Sequence, residues 1–302
     1  MQYLCVVYSR RYAEKQLRVN KLMASESNNI AVEQDVEIQQ LLEAIFIQYG
    51  YDFRSYSKAS VQRRILRNLA FSGCSSIAEL NRHILNDRGC FEKLLLDMSI
   101  NVTEMFRDPL FFKAVREHVV PMLKELPLIK VWLAGCASGE EVYSAAILFK
   151  EEGLDRKTQI IATDFNKKIL IDAGKGVYAD SKMKGYTLNY LLAGGKSSFQ
   201  KYFTRKYPHI AICDSLKNNI RFVHHNLVSN GSLGEMHIIF CRNVLIYFNR
   251  NLQNRVFRLF RNSLCNAGYL CLGSEESPLF STCAADFEAI VPKEKIYRKK
   301  SI

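Results

Sequence analysis

Acidic residues are in short supply: 30 Asp and Glu stand against 42 Lys and Arg, a formal net charge of +12 over 302 residues. A surplus of this size draws acidic surfaces, and nucleic acid, anionic lipid and acidic protein helices all qualify; charge by itself chooses none of them. No run of about eighteen uncharged apolar residues occurs, so no membrane insertion is predicted. The opening MQYLCVVYSRR is short and turns basic at its far end, unlike a secretory leader, and a cytoplasmic protein is expected. The nine cysteines, at 5, 74, 90, 136, 213, 241, 265, 271 and 283, form no C-x-x-C pair and are odd in number. That argues against a disulfide framework and a zinc site, and no metal is predicted. An apolar share of 48% with 24% charged is that of a globular chain, long enough for two domains.

Against these absences one stretch stands out, Val131 to Ser144, VWLAGCASGEEVYS. An apolar run that reads as a buried parallel strand stops at a turn bearing Gly135 and Gly139, and Glu140 and Glu141 then open a helix. A second strand, Gln159 to Thr163, ends in Asp164, where a doubly wound sheet presents a carboxylate to ribose hydroxyls. The turn lacks the G-x-G-x-x-G of a dinucleotide fold, and two acids beside it make a poor cradle for pyrophosphate. A nucleoside cofactor without phosphate, carrying a sulfonium and an ammonium, suits the same turn: S-adenosylmethionine. An ordinary strand, turn and helix is the plainer alternative from this stretch alone.

Residues 1–35 show no sustained periodicity and read as a poorly ordered extension. From Val36 a helical set begins with Ile38, Leu41, Leu42, Ile45 and Phe46, closed by Gly50. The next predicted helix, Ser60 to Phe71, is two-faced. At about 100° per residue, Val61, Ile65 and Leu69 fall on one side and Arg63, Arg64 and Arg67 on the other, with Arg54 and Lys58 upstream and no acid from 53 to 78. A solvated basic face and a docking face for an acidic partner are both open readings. Helices over Ile77 to Leu85 and Phe91 to Met98 complete an all-α domain of residues 36–99. Asp108 and Pro109 read as N-cap and first residue of a helix towards Leu126, kinked at Pro121. Strands at 129–135, 159–163, 220–225, 236–241 and 268–273, alternating with helices at 140–151, 166–174 and 250–265, predict a parallel α/β sheet within 100–302. Residues 287–300 read as an antiparallel hairpin at its edge. The segment 176–219 breaks the rhythm with interleaved aromatics and bases and reads as an inserted subdomain. It could bind single-stranded nucleic acid, but an aromatic mini-core with a basic rim is the better account.

The linker residues Asn101, Thr103 and Arg107, the glycine turn, Asp164 and the run Phe240-Cys-Arg-Asn-Val-Leu-Ile-Tyr247-Phe248 together resemble the chemoreceptor glutamate methyltransferases, the CheR-type enzymes of bacterial chemotaxis. The resemblance covers about 36 to 300. It implies a helical receptor-docking domain before a class I S-adenosylmethionine-dependent, Rossmann-like sheet with an inserted small β subdomain. It implies methyl transfer to side-chain carboxylates of glutamates on an acidic helical receptor, leaving S-adenosylhomocysteine. Asn101, Thr103 and Arg107 are similar to linker residues that reach the cofactor, Glu141 to one near the methionine ammonium, and Asp164 to the ribose ligand. Asn226 and Leu227 resemble the pair flanking adenine, and Arg242 and Asn243 the residues at the fourth strand's end. Tyr247 resembles the tyrosine near the transferred methyl. Gly135 and Gly139 belong to the cofactor turn, Arg107 and Tyr247 are the catalytic candidates, and Arg63, Arg64 and Arg67 are the docking candidates.

A glutamate carboxylate, with a pKa of about 4.3, is already a nucleophile at neutral pH, so no general base is needed. Two departures from the family stand out. His237 replaces the usual aspartate, and FTRKYPHIAICDSL lacks the glycine-rich loop of members that tether to a receptor's C-terminal pentapeptide, so a non-tethering enzyme is expected; a monomer is expected as well. A nucleic-acid methyltransferase is the rival enzyme, disfavoured because Cys241-Arg-Asn-Val stands where N-P-P-Y or D-P-P-Y would be; nucleic-acid binding is not expected. A non-catalytic cofactor-binding scaffold is the other rival.

Overall fold

The computed structural model describes residues 33–99 and 103–301; the extension expected over 1–35 lies, up to residue 32, outside the described residues, and so does Asn101. Two compact units form, one of the residues through Arg54 with Ala59–Leu94, the other of Ser55–Lys58 with Leu95 onward.

The first unit is all helical: α1 (33–49), α2 (Lys58–Ser72), α3 (Ile77–Asn86) and most of α4 (Arg88–Met98). The periodic residues Ile38, Leu41, Leu42 and Ile45 of α1 are buried with Val61, Ile65, Leu80, Ile84 and Phe91. Tyr49 stacks on Phe91 with ring centroids 3.8 Å apart, and its hydroxyl donates to the Ile84 carbonyl. The Ser76 hydroxyl accepts from Glu79 N while Glu79 reaches back to Ser75, a reciprocal cap that fixes where α3 starts. The predicted basic face needs two corrections. Arg64 is 5% exposed and donates to Ser60, because at about 100° per residue it lies nearer Val61 and Ile65 than Arg63 does. Arg54 is paired with Asp52 and Glu43, so its charge is met within the unit. Arg63 and Arg67 are exposed.

The second unit is built on a seven-stranded sheet. In chain order its strands are β1 (Ile129–Ala134), β2 (Thr158–Asp164), β6 (Ile220–His224), β7 (Met236–Cys241), β8 (Leu264–Leu272), β9 (Phe287–Val291) and β10 (Ile296–Lys299). Spatially they run β6-β2-β1-β7-β8-β10-β9, parallel from β6 to β8, with β10 and β9 added antiparallel. Helices α7 (Glu140–Glu151), α8 (Lys167–Lys175) and α10 (Arg250–Ser263) are the crossovers. The chain leaves β1 towards β2 and returns on its other side at β7, so the order reverses between these two strands, where such sheets bind ligands. Along β1, Val131 and Leu133 enter one core with Phe111, Phe112 and Phe240, while Trp132 and Ala134 enter another with Val256, Phe257 and Phe260 of α10. Burial on both faces is why the strand reads as an unbroken apolar run. His237 lies where the β7–β8 register shifts, between Met236 and Ile238; its Nδ1 accepts from Lys130 N at 2.9 Å, and burial holds its pKa below the ordinary value.

The helix expected from Pro109 is interrupted earlier than predicted. It runs as α5 (Pro109–Ala114), a single π turn at Val115–Val119, then α6 (Val120–Leu123). Pro121 has no N–H to give the preceding turn, and the widened turn before it takes up the mismatch. Asp108 does not cap with its side chain, because Arg242 holds its carboxylate. The insertion comprises β3 (Val177–Ala179), α9 (Met183–Leu192), β4 (Phe203–Lys206) and β5 (His209–Ile212), the strands ordered β3-β5-β4 and antiparallel. Its Tyr178, Tyr186, Tyr190, Phe199 and Tyr202 are buried in the main core, so they offer no platform for stacking bases. Buried Glu151 of α7 accepts from the Tyr190 and Tyr202 hydroxyls and pairs with Arg116, locking the insertion down.

Candidate active site

The cleft opens at the C-terminal ends of β1, β2 and β7. After β1 the chain turns at Gly135, whose φ is +77°, and both Gly135 N and Cys136 N donate to the Thr163 carbonyl at 2.8 Å. A Cβ on Gly135 would fall 2.6 Å from Val244 Cγ2, so no other residue fits without displacing the opposite loop. Asp164 closes the turn from β2: Oδ2 accepts from Ala137 N at 3.1 Å and Oδ1 from Asn166 N at 2.9 Å. Burial raises its pKa, against the pull of those backbone N–H groups. Each carboxylate oxygen keeps a lone pair for a ligand hydroxyl.

The two acids that open α7 diverge. Glu140 is fully buried and turns from the cleft, accepting from Ser138, Tyr186 and Lys182, so it fastens the insertion. Glu141 lines the cleft. Burial raises its pKa, opposed by the charges of Arg242 and Arg107. Arg242 at the end of β7 is a clamp. Its Nη2 donates to Asp108 Oδ2 at 2.6 Å, its Nη1 to Glu141 Oε2 and to the Arg107 carbonyl at 3.3 Å, and its guanidinium lies 4.0 Å over the Phe111 ring. It thereby holds the linker carrying Arg107 against α7.

The loop after β7 is held from farther away. Asn243 has a φ of +60°, and the amides of Asn243, Val244 and Leu245 all donate to the carboxylate of Glu276, which also accepts from Gly273 N. At the end of β6 the Asn226 side chain accepts from Val228 N, fixing a turn that sets Asn226 and Leu227 in the cleft wall. His225 Nε2 donates to the Gly231 carbonyl at 2.8 Å, since a carbonyl can only accept. The thiol of Cys136 is buried, and burial with the nearby Asp164 charge drives its pKa well up, which rules against a thiolate nucleophile.

Thr103, Arg107, Gly135, Glu141, Asp164, Asn226, Leu227, Arg242, Asn243 and Tyr247 therefore line one cleft. Gly139 is not in its wall: with a φ of +89° it starts α7, close against Ala173 and Tyr178. Sequence reasoning missed Tyr56, Met98, Phe165 and His225 in the wall, and Glu276 behind it. Tyr56 lies in a short non-periodic segment between helices, pinned where Ser57 N donates to the Tyr247 carbonyl at 2.7 Å. His225 adjoins Asn226, which was a usable signal; Glu276 gave none. Among the described residues no His, Cys, Asp or Glu group could hold a metal, and no helix is long and apolar enough to cross a membrane.

Residues 36–99 match the family description "CheR methyltransferase, all-alpha domain" and residues 101–290 match "CheR methyltransferase, SAM binding domain". The chain belongs to the CheR methyltransferase family. A Pseudomonas putida relative named "Putative methyltransferase Cher3" is 47% identical over 92% of this chain and 100% of its own. Chemotaxis protein methyltransferase 1 of Pseudomonas aeruginosa is 31% identical over 72% of this chain and 81% of its own, and chemotaxis protein methyltransferase Cher2 of Pseudomonas putida 32% over 72% and 81%. S-adenosylmethionine is the CheR cofactor, and the cleft suits it. The backbone of the Gly135 turn lines the cleft beside Asp164 and Glu141, acids that would oppose a pyrophosphate but not a ribose and an ammonium.

Proposed function

We propose that this CheR enzyme methylates side-chain carboxylates of glutamates on acidic helical segments of a chemoreceptor, without tethering to a receptor tail. The carrying observation is the position of Arg107. It lies in the wall of the cofactor cleft and also in that of a second opening lined by Glu104, Ser181, Lys182, Gly185 and Tyr186. An acceptor carboxylate entering there meets a guanidinium able to fork onto both oxygens. When bound, S-adenosylmethionine supplies an activated methyl group, and its sulfur retains the bonding electrons on transfer.

The protein's task is to orient and to dry the acceptor. Arg107 aligns the carboxylate, Tyr247 borders the reacting end, and Arg242 keeps the linker closed over the cleft. Such alignment contributes roughly 7–11 kcal/mol. A carboxylate needs no deprotonation at neutral pH, in keeping with the cleft's one histidine, His225, being engaged with a backbone carbonyl. Exposed Arg63 and Arg67 on α2 are the docking residues of the helical unit. Replacing Arg107 tests the reading. Arg107→Ala is expected to lower methyl transfer by roughly a hundredfold or more, with S-adenosylhomocysteine affinity nearly unchanged in calorimetry; equal loss of both, or of neither, contradicts the role.

A further inference from the structure

The catalytic unit carries a second groove, which the proposed chemistry leaves unused. Ile246, Arg250, Asn254 and Phe280 line it, with Glu275 and Lys295 as opposed charges at its edge. Ile246 follows the cofactor-cleft loop and directly precedes Tyr247. Helix α10, RNLQNRVFRLFRNS, carries four arginines and no acid. At about 100° per residue Arg250, Asn254, Arg258 and Arg261 fall within about 80° of arc. Arg261 is paired with Asp286, while Arg258 is exposed.

The same stripe pins the loop that follows β8. Arg250 Nη2 donates to the Phe280 carbonyl at 3.1 Å, and Asn254 Oδ1 accepts from Thr282 N at 3.0 Å. Ser277 caps the loop's short turn by accepting from Leu279 N. A loop held this firmly nevertheless leaves Phe280 77% and Leu279 54% exposed, with Ile246 at 37%. Exposed Ile246 and Phe280 in one groove, with Leu279 next to Phe280 and the basic stripe of α10 beside them, mark a surface built to be covered, although Glu275 and Glu276 also line the groove.

We propose that this groove docks the acceptor itself: an acidic amphipathic helix whose apolar stripe covers Phe280, Leu279 and Ile246 and whose carboxylates meet Arg250 and Arg258. The inference rests on the carboxylate-methylation reading. It adds a docking surface on the catalytic unit, adjoining Tyr247, to the arginines of α2. Charge complementarity and the helix-in-groove geometry single out this partner.

The test uses the full chain and a fluorescent synthetic helix of about five turns, with Glu on one face and Leu and Ala on the other. Anisotropy gives its affinity for the wild type, Phe280→Ser and Arg258→Glu, and calorimetry gives S-adenosylhomocysteine binding in the same samples. Both substitutions are expected to weaken the peptide by roughly tenfold or more while S-adenosylhomocysteine affinity stays the same. Unchanged peptide affinity in both variants overturns the proposal, as does wild type that binds S-adenosylhomocysteine but no peptide. Loss of binding to phosphatidylglycerol vesicles in the variants with peptide binding intact overturns it in favour of a membrane surface. Absence of S-adenosylhomocysteine binding in the wild type would instead sink the functional reading on which the proposal stands.

Discussion

Two loops meet across the cofactor cleft, one after β1 and one after β7, and each is held by a different buried carboxylate. The first is fixed by a glycine at positive φ, the Thr163 carbonyl on the adjoining strand β2 and the carboxylate of Asp164 at that strand's end. The second also has a positive φ, at Asn243, and short-range bonds from Tyr247 N to the Val244 carbonyl and from Phe248 N to that of Leu245. Its amides converge on Glu276, a buried carboxylate more than thirty residues along the chain, which gathers four N–H groups. The loops interlock, since the space denied to a Gly135 side chain is filled by Val244. The first anchor shows in the sequence because Asp164 ends an apolar strand; Glu276 follows no such pattern and does not.

The largest effect should come from the remote anchor. Glu276→Ala leaves four amides without their acceptor and is expected to cost about 3–5 kcal/mol in urea unfolding, with S-adenosylhomocysteine binding lost. A cost under about 1 kcal/mol would mean that Glu276 does not hold the second loop. Gly135→Ala comes next, at about 2–4 kcal/mol from positive φ and the clash with Val244. Adding Val244→Ala should recover the steric part and leave the φ penalty, so a double variant no better than the single one would break the interlock.

What was legible depended on whether a residue's place follows from a pattern in its own segment. The sheet, its crossovers and most of the cleft wall could be read because each depends on a local pattern: an apolar run, a glycine turn, an acid at a strand end. Arg64 was misplaced because a helical wheel fixes angle but not how far the packed face extends. Arg242 was read at the cofactor and does line the cleft; what the sequence could not show is that its guanidinium also ties Asp108 and Glu141 together, residues over a hundred positions away. Tyr56 and Glu276 were invisible because their partners arrive only with tertiary folding.

Smaller effects separate neighbours within the first loop. Glu141→Gln should weaken S-adenosylhomocysteine by roughly three- to tenfold in calorimetry, whereas Glu140→Gln should leave that affinity nearly intact and increase hydrogen exchange across α9. The reverse assignment would contradict the divergence of the two acids. Smallest is a pH effect at His225. Burial lowers its folded pKa below the ordinary 6.5, so the unfolded chain takes up the proton first, and this contribution is lost as pH falls from 6.5 through the folded value. The unfolding free energy of the wild type should therefore fall relative to His225→Gln between neutral pH and pH 5, and a parallel response would refute it.

The central claim is that the acceptor in this cleft is a carboxylate. The most direct measurement is transfer of labelled methyl from S-adenosylmethionine to acidic receptor helices, followed by mild alkali. Release of the label as methanol is the expected result; a label that survives alkali on nitrogen, or on nucleic acid, would contradict the account.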